Sequence, residues 1–390
     1  MKIEGTFVLE PAALERLAPE WRGLEAHLPG HLFSLSHAYF AAWRKLFGAG
    51  VECGVVTLRE SGTLLAVMPV MIARCWRGPA MSVRFDYYPG DMRFVLARSK
   101  WRYLPVQQLS PPISLESGNL RGGYLAHPQA DAELVRRHLA IALMAVPGWT
   151  VGVFPIPIDE TDAWEALLRD GTLRGFIRSS DRRFYRRRQL DSWQAFLRSR
   201  NAHFRRRYKE ATKRAEQEGL IFKTFSGPDE IRRGLDILAD VSGLSWKNGT
   251  RDGEAVVVPY SSTARAFFET LCTGDGGSLK PVVAAILQGD SAKAAILSVT
   301  IGGNLVTLLT FHDPALKRVS VGRLLIKMAY EWAVDNELAE IDFNATSPWV
   351  EPYSNQADEY GQMVIFGSSH FSRILEVGAR MLAGRARGQR

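Results

Sequence analysis

Cysteine is scarce in this chain of 390 residues, which contains three: Cys53, Cys75 and Cys272. They lie far apart and lack the paired spacing of a zinc site or a disulfide framework. Long apolar runs are lacking as well. No stretch approaches the ~20 apolar residues that span a bilayer, and the first residues include an early acidic side chain but no apolar segment of signal-peptide length. We therefore expect a metal-free protein of a reducing compartment, cytoplasmic or peripheral at the inner membrane.

Positive charge is present in excess and is concentrated. The formal net charge is +8, and arginine clusters accumulate between residues 178 and 214. Such a concentration favours an anionic partner, and coenzyme A, lipid head groups and nucleic acid all fit this description. A hydrophobic content of 46% indicates a folded globular chain, whose length predicts two or three domains.

The first part of the chain mixes helical and strand patterns. Helices are predicted over 14–28, 38–47 and 129–146, and strands over 51–58, 63–73, 83–88, 93–96 and 150–154. The composition changes where the arginines begin, so we place two domains at 1–178 and 179–390. Because residues 193–218 contain no proline or glycine and Gly219 follows, they are predicted to form one long basic helix.

The second domain contains the most ordered pattern. Three strands are predicted over 280–287, 292–300 and 305–311, joined by glycine-containing turns, and a loop, a helix over 321–336 and a short strand over 340–343 follow. This order resembles that of a GNAT acetyltransferase. Specific residues make the chain similar to the CelD/BcsL-like acetyltransferases, which are related to the FemAB group: Asn201, Phe204, Arg205, Arg206, Lys209, Ser245-Trp246-Lys247, Phe267-Phe268, Asp313-Pro314, Ser320, Gly322 and Glu340-Ile341-Asp342-Phe343.

The resemblance implies an α/β fold of the mixed α+β type. Two tandem GNAT-like halves are expected, each a mixed, mostly antiparallel sheet flanked by helices. The first half lacks a glycine-bearing loop that opens a helix after a meander, so we expect it to be degenerate and to shape the acceptor cleft. Where family members commonly have a tyrosine-lysine pair, this chain has Asn344-Ala345. This departure puts a polysaccharide-linked acceptor in doubt. Other members of this broad group resemble N-acyltransferases of long-chain amines, and the basic, aromatic tail of this chain would suit a lipid acceptor.

A basic loop opens the helix predicted over 321–336. The first amides of a helix lack intrahelical partners, and its dipole favours negative charge. Gly322 lets the backbone approach phosphates, and Lys317, Arg318 and Arg323 supply attraction, so the loop is predicted to bind the pyrophosphate of acyl-CoA. An ordinary basic loop before a helix is the alternative. The complete predicted donor-binding set is Lys317, Arg318, Val319, Ser320, Val321, Gly322 and Arg323.

His312, at the end of the third predicted strand, is the first candidate for the general base that deprotonates the amine. A histidine bonded to a neighbouring carbonyl is the alternative. Asp342 and Asp313 are the competing carboxylates, although capping of a turn is the commoner role for such residues. Backbone amides of 309–311 are the expected oxyanion donors. Cys272, on an apolar helix face, is expected to be buried rather than nucleophilic.

The acceptor pocket is predicted from aromatic and cationic side chains. Trp246 and Lys247 are candidates for its wall and its cation, Trp246 being equally interpretable as core, and Tyr353 is a further substrate-binding residue. Tyr353 and Tyr360 are also candidates for protonating the departing thiolate. The arginines of 182–214 are read as a solvated helix face, with membrane attraction that the amphipathic segment 371–390 would share.

Together these observations predict an acyl-CoA-dependent N-acyltransferase of cell-envelope biosynthesis, with a sphingoid-type or other long-chain lipid amine as acceptor. Three alternatives remain open. They are an exopolysaccharide or amino-sugar N-acetyltransferase, a FemAB-like transferase that takes its donor from aminoacyl-tRNA, and a non-catalytic basic protein that binds nucleic acid or an anionic surface.

Overall fold

The computed structural model describes residues 3–28, 30, 32–77, 104–113, 121–245, 262–273 and 279–387. The strands predicted over 83–88 and 93–96, and the predicted pocket residues Trp246 and Lys247, lie outside the described residues. The chain forms two compact units. Unit 1 comprises the described residues up to 113, 121–183 and 358–387, and unit 2 comprises those of 184–357.

The helices and strands follow one another along the chain in mixed order. The elements that precede residue 190 are β1 (Ile3–Val8), α1 (Pro11–Ala26), α2 (His37–Phe47), β2 (Glu52–Glu60), β3 (Thr63–Arg77), β4 (Leu104–Ser110), β5 (Leu125–Ala126), α3 (Ala132–Ala145), β6 (Val151–Pro157), α4 (Thr161–Arg169) and β7 (Gly175–Arg188). Those that follow are α5 (Trp193–Ser199), α6 (Ala202–Gln217), β8 (Leu220–Ser226), α7 (Pro228–Leu244), α8 (Ser262–Thr273), β9 (Lys280–Gln288), β10 (Ser291–Ile301), β11 (Asn304–His312), α9 (Val321–Asp335), β12 (Glu340–Asp342), β13 (Gln356–Phe366) and α10 (His370–Arg387).

Unit 1 contains a mixed sheet with the order β1-β2-β3-β4-β6-β13. The β4–β6 pair is parallel and the other neighbours are antiparallel. Helix α3 packs on β1 and β2, and α1 packs on β3. Ser36 caps α2, because its hydroxyl accepts a hydrogen bond from the amide of Tyr39 at 3.2 Å.

The chain leaves unit 1 after residue 183 and returns to it at residue 358. The domain boundary predicted after residue 178 lies close to the first crossing. The two predicted domains, 1–178 and 179–390, stay a prediction. Residues 358–387, which include most of β13 and all of α10, belong to unit 1. The reason is strand pairing: β13 forms an antiparallel ladder with β6 from Tyr360–Pro157 to Phe366–Val151, and no local pattern in the sequence reveals such a partner.

Unit 2 contains a mixed sheet with the order β7-β12-β11-β10-β9-β8, in which only the β11–β12 pair is parallel among the described strands. Helix α9 packs against β9, β10, β11 and α6, while α7 packs against β8 to β11 and α8. Strands β9 and β10 are buried in nearly continuous runs, which is typical of strands covered on both faces. The predicted meander, helix and short strand are therefore confirmed, as is the mixed α/β fold class.

The prediction of one helix over 193–218 is wrong. Helix α5 ends at Ser199, Arg200 has extended backbone angles (φ −89°, ψ 157°), and α6 begins at Ala202. Asn201 caps the second helix, since its Oδ1 accepts a hydrogen bond from the amide of Phe204 at 2.8 Å. A capping side chain competes with helix continuation, and the pattern of helix-forming residues around it hides the break.

The arginines between 182 and 188 lie in strand β7, not on a helix. No helix among the described residues has both the length and the apolarity to cross a membrane.

Candidate active site

Strand β11 carries a β-bulge in its middle. On β10, Leu297 is paired with Leu309 and Ser298 with Thr307, so Leu308 is an extra residue on β11. A bulge interrupts the ladder, bends the strand and redirects its backbone groups. The backbone donors predicted at 309–311 begin directly after this bulge.

The partner on the other side of β11 is short. Strand β12 pairs with β11 over three residue pairs, from Asn304–Glu340 to Val306–Asp342, although β11 continues to His312. Thr307 then donates its hydroxyl to the carbonyl oxygen of Phe343 at 2.6 Å. Beyond this point Leu308, Leu309 and Thr310 are partly exposed. The described pairing of β12 with β11 therefore ends before the second half of β11.

The loop after β11 connects this strand to the first turn of α9. Asp313 starts a single 3₁₀ turn, Pro314–Leu316, and Ser320 is the N-cap of α9 in a left-handed conformation (φ 61°, ψ 44°). The Ser320 hydroxyl does not cap the helix. Among the described residues, no group accepts a hydrogen bond from the amides of Val321 or Gly322. These donors are available to an anionic group at the positive end of the helix dipole.

Space is open above Gly322. A Cβ atom placed on this residue would meet no described atom within 4 Å, and the residue is partly exposed. The predicted residues Lys317 and Arg318 are exposed, Ser320 and Arg323 are partly exposed, and Val319 and Val321 are buried in the core of unit 2. The predicted loop thus divides into a buried apolar pair that fixes it and a polar and basic set that faces outward.

Sequence reasoning missed the residue that holds this loop in place. Arg214, near the end of α6, donates from Nη1 to the carbonyl oxygen of Arg318 at 2.6 Å. The two residues lie far apart in sequence, and an exposed arginine in a basic helix gives no signal of such a partner.

His312 is the last residue of β11, where it pairs with Ala294 and is partly exposed. The next residue, Asp313, has clear structural partners. Its Oδ1 accepts a hydrogen bond from the amide of Ala315 at 2.8 Å, and its Oδ2 lies 3.3 Å from the ammonium nitrogen of Lys293. Asp313 therefore makes the turn-capping contact that is the alternative to a catalytic role.

Asp342 is buried in β12, where it contacts a backbone amide and an arginine. Its Oδ1 accepts a hydrogen bond from the amide of Asn344 at 2.7 Å, and its Oδ2 lies 3.7 Å from Nε of Arg186. Arg186 also pairs with Glu340 at 3.1 Å, and Arg188 pairs with Glu340 at 2.7 Å. Two carboxylates of β12 and two guanidinium groups of β7 therefore form one partly buried network.

Tyr353 belongs to the aromatic core of unit 2. Its ring stacks on Phe196 with centroids 6.1 Å apart and meets Phe204 edge-on at 5.5 Å. The hydroxyl is buried and has no hydrogen-bond partner among the described residues. Burial raises the pKa of Tyr353 to about 12, and the positive charge of Arg323, in the first turn of α9, acts in the opposite direction. The phenol is therefore neutral and protonated in the physiological range.

Cys272 is a poor nucleophile. Burial raises the pKa of its thiol to about 12, and the charge of Glu269 adds to this increase. The thiolate is consequently a negligible fraction at neutral pH, which argues against a covalent cysteine route. In the part of the chain that the structure describes, no group of three or more His, Cys, Asp or Glu side chains is placed to bind a metal ion.

Comparison with known proteins finds a family model that matches part of the chain. Residues 202–354, from α6 to the residue after Tyr353, match the family model described as acetyltransferase (GNAT) domain. The match includes the meander, the loop, α9 and β12. A comparison with curated proteins finds no similar sequence.

Solved structures extend the similarity to the whole chain. A tandem GNAT protein from the clavulanic acid biosynthesis pathway is 13% identical with a TM-score of 0.52, covering 94% of this chain and 100% of its own. FemX is 13% identical with a TM-score of 0.55, covering 96% and 100%. A conserved protein of unknown function from Bacteroides thetaiotaomicron is 10% identical with a TM-score of 0.51, covering 90% and 97%. At these identities the likeness establishes the fold, which is that of tandem GNAT proteins.

Proposed function

We propose that this protein is an N-acyltransferase that moves an acyl group from acyl-CoA to an amine. The observation that carries the proposal is the first turn of α9, whose amides at Val321 and Gly322 are available beneath open space; α9 is the first α-helix after the bulged strand β11. The GNAT family match over residues 202–354 supports the same assignment.

The donor would bind with its pyrophosphate at the first turn of α9. Lys317, Arg318 and Arg323 would supply attraction, Ser320 a polar group at the cap, and buried Val319 and Val321 would keep the turn rigid. The thioester would lie along the second half of β11, where amides after the Leu308 bulge would stabilise the oxyanion.

Acyl transfer requires two proton movements. The amine nitrogen attacks the thioester carbonyl, a C–N bond forms and the C–S bond breaks. We propose His312 as the base that accepts the amine proton and Tyr353 as the acid that protonates the leaving thiolate. Asp313 and Asp342 are the competing carboxylates, and both have capping and ion-pair partners.

For the acceptor we propose a long-chain lipid amine of the sphingoid type, used in cell-envelope biosynthesis. This proposal depends on the CelD/BcsL-like resemblance and on its departure at Asn344-Ala345. An amino-sugar acceptor remains the alternative for the same donor. The pocket roles proposed for Trp246 and Lys247 depend on the resemblance alone. Tyr353, in contrast, lies in the same hydrophobic core as Val321, the first residue of α9.

An aminoacyl-tRNA donor is the second candidate, favoured by the fold similarity to FemX. Part of the positive charge that would attract tRNA is already neutralised, since Arg186 forms ion pairs with Glu340 and Asp342, and Arg188 forms one with Glu340. The same contacts weaken the interpretation of the chain as a non-catalytic nucleic-acid binder.

Thermal shift separates these candidates. We expect acyl-CoA to raise the melting temperature of the protein and charged tRNA to leave it unchanged. Release of free CoA in the presence of long-chain and sugar amines then measures the reaction and its acceptor class. A shift with charged tRNA alone would reject the acyl-CoA assignment.

A matched pair of glycine variants tests the binding site. Gly322→Val fills the space above the first turn of α9 and should abolish the shift by acyl-CoA while the protein remains folded. Gly23→Val in α1 is the control, because a Cβ atom there also meets nothing within 4 Å, and its response to acyl-CoA should equal that of the wild type. Unchanged acyl-CoA binding by folded Gly322→Val would refute this site.

A further inference from the structure

Helix α10 presents two different apolar faces. On one face Ser372, Leu375 and Ala379 are buried, and the last two belong to a core cluster of unit 1 with Val364 and Phe366. Ile374, Leu375 and Val377 all belong to the segment 371–390 that is predicted to be amphipathic. The structure divides this set, because Leu375 packs into the core while its neighbours do not.

The other face is exposed. Phe371, Ile374 and Val377 are 46%, 70% and 54% exposed. At 100° per residue, their spacing of three places them within an arc of about 120° on the helix surface. A Cβ atom built on Gly378, within the same arc, would meet no described atom within 4 Å. These residues form a continuous apolar stripe, Phe371–Ile374–Val377, that no described residue covers.

The stripe belongs to a fixed helix and not to a frayed one. Ser369 caps α10, since its hydroxyl accepts a hydrogen bond from the amide of Ser372 at 3.1 Å. Arg174 binds Glu376 through Nη2 at 2.6 Å and through Nε at 3.0 Å. Packing of one face and this ion pair therefore set the direction in which the stripe points within unit 1.

The charge of α10 indicates what covers the stripe. Within its sequence, Arg373, Arg380, Arg385 and Arg387 are opposed by one acidic residue, Glu376, whose charge is matched by Arg174. A second copy of the chain would bring two positively charged helices together. An anionic membrane surface complements both features, because its acyl chains accept apolar side chains and its head groups attract arginines.

We propose that α10 is an interfacial helix, which lies on an anionic membrane surface and inserts Phe371, Ile374 and Val377 at the boundary between head groups and acyl chains. The proposal is independent of the chemistry proposed for unit 2. If a lipid amine is the acceptor, the same contact would bring the protein to the layer in which that acceptor resides.

Vesicle flotation tests the proposal with the full chain. We expect binding to phosphatidylcholine vesicles that contain phosphatidylglycerol, much weaker binding to phosphatidylcholine alone, and a decrease in binding as salt is raised. The triple variant Phe371→Ser, Ile374→Ser, Val377→Ser should lose at least about tenfold in vesicle affinity. The double variant Leu134→Ser, Ile141→Ser removes exposed apolar side chains of α3 and should bind as the wild type does.

Two further measurements make the outcome decisive. Circular dichroism melting should show that the triple variant is folded, and the acyl-CoA thermal shift should be retained, so that failure of membrane binding and failure of the proposed function are distinguishable. Equal vesicle binding by the triple variant and the wild type would overturn the proposal. So would a concentration-dependent dimer, seen by sedimentation velocity, that the triple variant abolishes in a protein without affinity for vesicles.

Discussion

The hydroxyl of Tyr353 is a buried polar group in the core of unit 2, where Trp193 Nε1 and Tyr208 OH are also buried without a hydrogen-bond partner among the described residues. It lies in an aromatic core beside Phe196 and Phe204 and has no hydrogen-bond partner among the described residues. Leaving such a group unsatisfied costs about 1–3 kcal/mol, so its retention requires either a packing compensation or a role in function. A role in proton donation to the thiolate would account for the cost.

Replacement of Tyr353 by phenylalanine separates these explanations. Because the variant removes only the unsatisfied hydroxyl, we expect its free energy of unfolding, measured in urea, to equal or exceed that of the wild type. Affinity for acyl-CoA should be unchanged while kcat falls by about 10²-fold, the lower end of the range for general acid catalysis. A variant with wild-type kcat would remove Tyr353 from the mechanism.

Glu25 and His37 form a pair with opposite pH responses in unit 1. Glu25 Oε1 accepts a hydrogen bond from the backbone amide of His37 at 2.5 Å. Burial raises the pKa of Glu25 to about 7, against the opposing effects of this hydrogen bond and of Arg22. Burial lowers the pKa of His37 to about 4, and the charge of Arg22 acts in the same direction.

These shifts predict a compensated pH dependence of stability. With its raised pKa, Glu25 lowers stability as pH rises from 4.5 to about 7, whereas His37, with its lowered pKa, increases stability as pH rises from about 4 to 6.5. In the wild type the two slopes oppose each other between pH 4.5 and 6.5. Urea unfolding of Glu25→Gln should show stability rising through this window, and His37→Gln should show it falling. Parallel curves for both variants would contradict the assignment.

At the scale of secondary-structure elements, β12 depends on its neighbour β7. This strand has three residues, and two of them, Glu340 and Asp342, carry buried carboxylates. Arg186 contacts both, so the strand next to the candidate site is held in place by charge pairing as well as by its ladders.

Removal of Arg186 should therefore be costly. Arg186→Met leaves two buried carboxylates with less compensation, and we expect the free energy of unfolding to fall by about 3 kcal/mol. Arg183→Met is the matched control on the same strand, because Arg183 forms a half-exposed pair with Glu359 and its loss should cost less than about 1 kcal/mol. Equal losses in the two variants would show that the network does not stabilise β12.

The elements found from the sequence are those with local signals. The meander over β9 to β11 and helix α9 follow from alternation, glycine turns and helical spacing, and the loop from Lys317 to Arg323 follows from its position between them. Strand β7 was missed because its arginines conceal a strand whose partners lie more than a hundred residues away. The bulge at Leu308 was out of reach for a related reason, since it exists only in the register between two strands.

At the scale of the whole molecule, the stability of unit 1 depends on a late segment of the chain. Strand β13 completes the ladder with β6, and α10 adds Leu375 and Ala379 to the core. Truncation after Gly367 keeps the strand and removes only the helix, whereas truncation after Ala357 removes both.

Hydrogen exchange of the two truncated chains should show this difference. The amides of β6 should remain protected, with lower stability, when the chain ends after Gly367, and should exchange freely when it ends after Ala357. The amides of β10 in unit 2 provide the internal control and should remain protected in both chains. Protected β6 amides in the shorter chain would show that unit 1 folds without β13.

This interrupted arrangement has a consequence for biosynthesis. The described residues of unit 2 all lie between residues 184 and 357, so all of its described strands have left the ribosome once residue 357 has emerged. The unit translated first has to wait with the edge of β6 unpaired until β13 arrives. We expect chaperones to engage the nascent chain mainly through the segment made earliest, the reverse of the usual order in which the first domain is already folded when the next is synthesised.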